Sequence, residues 1–277
     1  MLKLSQKQKK KFIGLVVLFA ISIFLTSHTS EAAERNAVYF LDVGQGDASL
    51  VVTRNGASIL IDGGPDTLAE RIQTMGIDTI DVLILTHPHA DHVTGLVDVL
   101  RNMKVEKIIA TCTPYESAIY TTFLSFVKEC YSGPASFRLD NALIEVVYPH
   151  KDIQESIYDN VNNSSLVTKI TLEDTTVLFP GDIEFEAEGE VLQGADLDAD
   201  IVLVPHHGSS TSSSMRFISE VSPKVCIISN GMDNSYGHPH KSTLRSYENF
   251  GLRCLRTDQE GEIGFRMAPE GLNRIGL

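Results

Sequence analysis

Asp81-Val-Leu-Ile-Leu-Thr-His-Pro-His-Ala-Asp-His92 carries an apolar run directly into three imidazoles and a carboxylate. Asp81–Leu85 reads as a buried strand, and strand ends hold loops on a rigid scaffold, where sites are usually built. His87 and His89 occupy alternate positions, so their side chains project together and can share one cation. Asp91 and His92 lie past the bend and can face a second cation. Imidazole and carboxylate suit Zn²⁺ first and Mn²⁺ as the alternative, and both leave coordination positions open in catalytic sites. Three of the nine histidines fall in these six residues, so a solvated loop that is His-rich by chance is a poor account of them.

Working outward, the N-terminal side is strand-rich. Ala37–Leu41, Ser49–Thr53 and Ser58–Ile61 are short apolar runs separated by Gly44-Gln45-Gly46-Asp47 and by Asn55-Gly56, the latter a hairpin signal. Leu68–Met75 fits a helix stopped at Gly76, Val93–Arg101 a helix, Lys107–Ala110 a strand and Glu116–Cys130 a helix. The C-terminal half repeats the style. Leu143–Val147, Ser165–Leu172, Thr176–Phe179, Ile201–Val204, Val225–Ser229, Leu252–Arg256 and Ile263–Arg266 read as strands, and Glu184–Leu192, Met215–Val221 and Ser242–Phe250 as helices. Two sheets packed face to face with helices outside would bury these strands on both sides. Ser209–Ser214 is a loop and helix cap, not a linker, so residues 34–277 form one domain.

Residues 1–33 are a different kind of sequence. Lys3, Lys7, Lys9, Lys10 and Lys11 precede the apolar run Phe12–Leu25, then a polar stretch and Ala32-Ala33. That order reads as a secretory signal, with an uncleaved anchor as the other reading; the apolar run is short for a span of about 20 residues. Export places the domain outside the cell, attached to a membrane only if the anchor stays. Cleavage after Ala32 removes five lysines and Glu31, taking the formal charge from −13 to −17. Such a surface repels polyanions, so no stable nucleic-acid partner is expected, and a nucleic-acid substrate would need a local basic groove or the cations to hold it. Cys112, Cys130, Cys226 and Cys254 match no zinc module. They are either small core residues or, in an exported chain, disulfides, for which 112–130 and 226–254 are the favoured pairs.

Further short motifs carry a resemblance. Thr86-His-Pro-His-Ala-Asp-His-Val-Thr-Gly95 resembles the signature of the metallo-β-lactamase-fold hydrolases. Phe40-Leu-Asp-Val-Gly-Gln-Gly-Asp-Ala48, Leu60-Ile-Asp-Gly-Gly64, Asn163-Ser-Ser-Leu-Val167, Leu178-Phe-Pro-Gly-Asp182, Val204-Pro-His-His-Gly-Ser209 and Asn234-Ser-Tyr-Gly-His-Pro-His240 narrow it to the extracellular hydrolase domain of ComEC-type DNA-uptake proteins. The ordered series extends from Ala37 to Met267 and lacks that family's channel and nucleic-acid-binding module, as a freestanding exported domain would. The resemblance implies an α/β, four-layer αββα sandwich with two divalent cations on its edge.

It also implies roles. Asp182, at the end of the Thr176–Phe179 strand, takes the place of the carboxylate bridging both cations; by itself it reads equally as a helix cap. Of His206 and His207, adjacent after a strand, one should reach a cation; similarity to related phosphoesterases favours His207 as ligand and His206 as substrate contact. Many enzymes of this fold place another His before the bridging Asp. Here that interval holds only His150, in a turn, and the matching segment is Asn162-Asn163-Ser164-Ser165, so Asn163 is expected to hold a substrate oxygen or coordinate weakly. Asp62 should accept from a ligand histidine and fix its tautomer. Asp42 and Asp47 read as turn residues or as lining of the mouth. His238 either clamps a phosphate, protonates a leaving group, or is structural, and His240 is structural.

Turnover is thus expected to rest on Asp91, Asp182, His206 and His238, with His87, His89, Asp91, His92, Asp182 and His207 holding metal. The first expectation is a phosphodiesterase or nuclease, in which paired cations activate water and stabilise charge developing on phosphorus. A cell-wall phosphoester esterase (phosphorylcholine or teichoic acid), a lactonase-type acyl-hydrolase and a metal-holding protein without turnover stay open, as does the oligomeric state.

Overall fold

Alternation along β1 (Ala37–Phe40) explains the layering. Val38 and Phe40 enter an apolar layer between two sheets, whereas Ala37 and Tyr39 enter another on the opposite side. Successive strand side chains point to opposite faces, so a strand apolar at every position must be covered twice. In β9 (Thr175–Phe179), Val177 and Phe179 face the middle layer and Leu178 faces outward. β10 (Ile201–Leu203) repeats this with Ile201 and Leu203 inward and Val202 outward.

The computed structural model describes residues 34–131, 133–150, 160–194, 196–269 and 271–276. The export segment expected over residues 1–33 lies outside them. One seven-stranded sheet runs β14 (Gly271–Ile275), β13 (Ile263–Ala268), β1, β2 (Ser49–Val52), β3 (Ser58–Ile61), β4 (Thr79–Ile84), β5 (Lys104–Ile109). The other runs β12 (Leu255–Arg256), β11 (Val225–Ile228), β10, β9, β8 (Val167–Leu172), β7 (Ala142–Tyr148), β6 (Ala135–Leu139). Helices α1 (Ala69–Thr74), α2 (Ala90–Asn102) and α3 (Ala118–Leu124) cover the first sheet through Ile72, Val93, Leu96, Tyr120 and Phe123. Helices α4 (Phe185–Val191), α5 (Met215–Val221) and α6 (Lys241–Glu248) cover the second through Val191, Phe217, Val221 and Tyr247. A short α7 (Thr257–Glu260) follows β12. This is the four-layer αββα sandwich.

Each sheet is mixed, and its parallel part positions the chemistry. β3, β4 and β5 run parallel in one sheet, and β9, β10, β11 and β12 in the other. Ligands gather at the carboxyl ends of such strands: His87, His89, Asp91 and His92 follow β4, Asp182 follows β9 and His207 follows β10, while the loop after β11 brings His238. The two sheets are tied at this edge: Leu166 N–H donates to Thr86 O (2.9 Å) and Ser229 Oγ to Gly46 O (2.7 Å).

Three expectations shift. The helix expected over Glu116–Cys130 ends at Leu124, because a Cys112–Cys130 disulfide and a 2.7 Å bond from Tyr131 N–H to Ala110 O draw the chain back to the end of β5. α2 begins at Ala90 rather than Val93, which moves Asp91 and His92 into its first turn. β6 and β14 are sheet edges with half-exposed residues and little apolar signal. Both disulfides have the favoured pairing, Cys112–Cys130 and Cys226–Cys254, which suits an oxidising, extracytoplasmic compartment. Among the described residues no helix is long and apolar enough to cross a membrane.

Candidate metal centre

Close backbone contact comes first. A Cβ on Gly95 would lie 1.9 Å from Gly63 O, so only glycine lets α2 sit against the β3–α1 turn. Their bonds, Gly63 N–H to His92 O (2.8 Å) and Gly95 N–H to Gly64 O (3.0 Å), fix the start of α2 and with it Asp91 and His92. Gly181 has φ +59°, and a Cβ there would meet Ser165 and Thr86 at 2.9 Å. Asp182, the next residue, is thereby brought under the His87 loop.

Both oxygens of Asp182 face histidines. Oδ1 is 3.4 Å from His92 Nε2; Oδ2 is 3.7 Å from His87 Nε2, 3.6 Å from His207 Nε2 and 3.8 Å from His206 Nε2. Asp91 Oδ2 stands 3.5 Å from His207 Nε2. The donors fall into overlapping groups, His87 with His89 and Asp182, and Asp91 with His92 and His207, with Asp47, His92 and Asp182 forming a third. Ligand atoms about 2.0–2.1 Å from a tetrahedral cation stand roughly 3.4 Å apart, which is the spacing seen here. Asp182 Oδ1, His92 Nε2 and His207 Nε2 are buried without hydrogen-bond partners, a costly arrangement unless a cation completes it. The donor set therefore fits a pair of divalent cations.

The outward-facing ring atoms are spoken for. Asp62 Oδ2 accepts from His92 Nδ1 at 2.8 Å and is itself held by Thr86, whose Oγ1–H donates to Oδ2 (2.7 Å) and N–H to Oδ1 (2.8 Å). Thr86 Oγ1 also lies 3.2 Å from His87 Nδ1. His207 Nδ1 donates to Ser229 O at 3.0 Å, with Asp47 Oδ1 at 3.2 Å. With these tautomers the Nε2 atoms of His92 and His207 are left bare toward the middle of the site, and His87 Nε2 faces His89 Nδ1 at 3.0 Å.

Charge follows the same geometry. Burial would lower His92, but the charges of Asp182 and Asp62 hold it well above the usual imidazole value; Asp182 and Asp47 do the same for buried His207. Burial opposes ionisation of Asp182 and Asp91 as well, yet the histidines around them keep both carboxyls low. His87 is pushed down by burial and by the charge of His92. Burial and the charges of His207, His206 and His240 lower His238 to about 4.

A cleft of about 350 Å³ opens on this cluster, lined by Gln45, His89, Asp91, Asp182, His206, His207 and His238, with Tyr115 and Tyr236 at its rim. A larger groove of about 950 Å³ between β5 and β6 contains neither histidine nor aspartate, so the chemistry belongs to the smaller one.

Of the ten residues expected to hold metal, act in turnover, touch substrate or orient a ligand (Asp62, His87, His89, Asp91, His92, Asn163, Asp182, His206, His207 and His238), the structure brings nine together. Neither His206 nor His207 continues a strand: β10 stops at Leu203 and both have φ +52°. The turn points both rings at the site, His207 buried and His206 half out beside Glu184 (3.5 Å) and Thr211 (3.4 Å). The exception is Asn163. It is buried, its Oδ1 accepts from Glu184 N–H (2.9 Å), its Nδ2 faces Glu186 (3.4 Å), and it does not line the cleft. Asn163 orders the segment after Asp182, its amide turned to Glu184 and Glu186 rather than to the cleft. Asp47, a turn residue or mouth lining by sequence, is a buried carboxylate, 2% exposed, and both its oxygens lack hydrogen bonds. Its signal was an acid held next to glycine in a turn that must pack on α2, since Asp47 N–H donates to Asp91 O (3.2 Å). His240 Nδ1 accepts from Ser210 N–H (2.9 Å) and is structural.

Fold and site together define a domain built to hold metal at one edge of a four-layer sandwich, and the chain belongs to the metallo-beta-lactamase superfamily, whose family model matches residues 41–231. Within it, the domain is related to the ComEC family. It is 32% identical over 272 residues to ComE operon protein 3 of Bacillus subtilis (86% of this chain, 33% of that protein). It is 29% identical over 263 residues to competence protein ComA of Neisseria gonorrhoeae (91% and 35%). The chain thus spans about a third of the length of these relatives. Among solved structures, CmlA, a diiron beta-hydroxylase from Streptomyces venezuelae, shares the fold at 15% identity and a TM-score of 0.55 over 85% of this chain and 55% of that one.

Proposed function

We propose that this chain is an exported binuclear metal-dependent phosphodiesterase, with nucleic acid as its first candidate substrate. The observation that carries the reading is Asp182, whose two oxygens face histidines of both ligand groups at 3.4–3.7 Å. A carboxylate so placed suits a bridge between two cations, and its buried, unpartnered Oδ1 favours that over a helix cap. His87 and His89 serve one side, and Asp91, His92 and His207 the other. Held by these residues, two divalent cations, Zn²⁺ or Mn²⁺, would supply a nucleophile near neutral pH and offset charge developing on a phosphoryl group.

The chain's own residues do the rest. Asp62 and Ser229 O orient His92 and His207, and Asp47 backs His207 from the other side. His206 and His238 stand at the mouth, 5.6 Å apart between ring centres, where non-bridging phosphate oxygens would lie. His238, lowered to about 4, is neutral at physiological pH; it offers a hydrogen bond rather than a charge, and is a poor acid for a leaving group. The relation to ComE operon protein 3 and ComA supports nucleic acid; the two disulfides and the N-terminal sequence support export.

The acidic charge of −13 favours a second reading, a small phosphoester such as a phosphorylcholine ester of the cell wall. Metal-loaded protein offered DNA, bis-(p-nitrophenyl) phosphate and a lactone separates these. Cleavage of both phosphodiesters and not the lactone is expected. Lactone hydrolysis alone would replace the proposal with an acyl-hydrolase.

A further inference from the structure

Two tyrosines at the rim of the cleft are unused by this chemistry. Among the described residues six large apolar side chains are exposed, and two of them, Tyr115 (40%) and Tyr236 (64%), line this one cleft. They come from different sheets, Tyr115 from the loop after β5 and Tyr236 from the loop after β11. Each is braced by a ring of the site. Tyr236 lies nearly parallel to His238 (5.6 Å, 26°), and Tyr115 stands edge-on to His89 (5.3 Å, 72°) and to buried Tyr120 (6.4 Å, 63°). A tyrosine so held presents a flat face at small entropic cost. Exposed aromatic surface beside a polar cleft marks a contact site.

We propose that Tyr115 and Tyr236 form a stacking subsite for unpaired nucleobases, so that the centre acts on single-stranded nucleic acid or nucleotide ends rather than on paired duplex. The inference rests on the phosphodiesterase reading and names its substrate class. Non-specific binders of single strands combine a basic groove with aromatic platforms. The formal charge of −13 denies this protein a general electrostatic attraction, so platforms and cations must do the holding. In a duplex both faces of each base are already stacked, and the tyrosines would gain nothing. The rival ligand for exposed tyrosines, a quaternary ammonium, needs aromatic faces converging into a cage; here one side of Tyr236 is taken by His238.

The test compares an oligothymidylate with a strand of equal length made of abasic sites, equal in phosphate and charge, on the full metal-loaded chain. The expected KM for the base-bearing strand is about fivefold lower, the weak end of base–aromatic stacking. Tyr236→Ala and Tyr115→Ala should each bring that KM ratio toward one, and Tyr236→Phe should restore it. A second readout needs no turnover. The chain has eight tyrosines and no tryptophan, so its tyrosine emission reports stacking. Oligothymidylate should quench it, the abasic strand should not, and Tyr236→Ala should remove most of the effect. Quenching without cleavage of any phosphodiester would keep the subsite and sink the phosphodiesterase. Equal KM for both strands with no selective quenching, or stronger quenching by phosphorylcholine, would overturn the subsite itself.

Discussion

At the level of single residues, the cluster was legible because its chemistry is compressed into Thr86–His92, where few structural roles compete for three histidines. Roles set by packing were harder. Asn163 looked available, yet its amide is used by Glu184 and Glu186, and no linear pattern displays that. Asp47 looked like a turn and is a buried carboxylate 3.2 Å from His207. Asp62→Ala should weaken metal binding by about 10–100-fold, the usual cost of losing such an outer partner, as read by competition with a chromogenic chelator; unchanged affinity would mean that His92 is held by other contacts. Protons provide a second expectation. Raised values for His92 and His207 mean that, with metal chelated, their stabilising ion pairs are complete below the unfolded value of about 6.5 and fade as pH climbs through the higher folded values. Metal competes with those same protons, so its stabilisation grows with pH. Melting curves from pH 6 to 9 should therefore fall for chelated protein while the gain on adding metal increases. A metal-induced gain that shrinks toward pH 9 would contradict the assigned ligands.

At the level of elements, the core strands were plain because each is apolar at positions facing both ways, as in Val177-Leu178-Phe179. What escaped was whatever a tertiary tie decides. The apolar spacing after Glu116 predicts a helix through to Cys130, but the Cys112–Cys130 bridge returns the chain to β5 after Leu124; sequence spacing cannot show that return. Edge strands β6 and β14 carry too few buried side chains to announce themselves. The Cys226–Cys254 bridge closes a loop with a sequence separation of 28. Replacing both cysteines by alanine should cost about 3 kcal/mol, measured by urea unfolding of oxidised protein; a loss below about 1 kcal/mol would show that β11 and β12 hold without it. Gly95→Ala should be worse for the site than for the fold, because the new Cβ pushes α2 from Gly63 O and moves Asp91 and His92. Reduced metal affinity in a variant that still folds is the expected pattern, and wild-type affinity would refute it.

At the level of the whole molecule, the two disulfides suit an extracytoplasmic compartment, and the acidic charge leaves binding of anions to local contacts rather than long-range attraction. Expressed in its host, the chain should appear in the medium beginning near Ala33, as read by mass spectrometry; full-length chain confined to the cytoplasm would contradict export. Binding of duplex DNA should collapse on chelation, since neither the charge nor the two rim tyrosines replace the cations there. The central claim is that Asp182 joins two cations into one hydrolytic centre. Its most direct test is metal content per chain by mass spectrometry, measured with bis-(p-nitrophenyl) phosphate turnover, for wild type and Asp182→Ala. The account predicts two equivalents and activity in the wild type, with at most one equivalent and no measurable turnover in the variant. Two equivalents with activity retained in Asp182→Ala would contradict it.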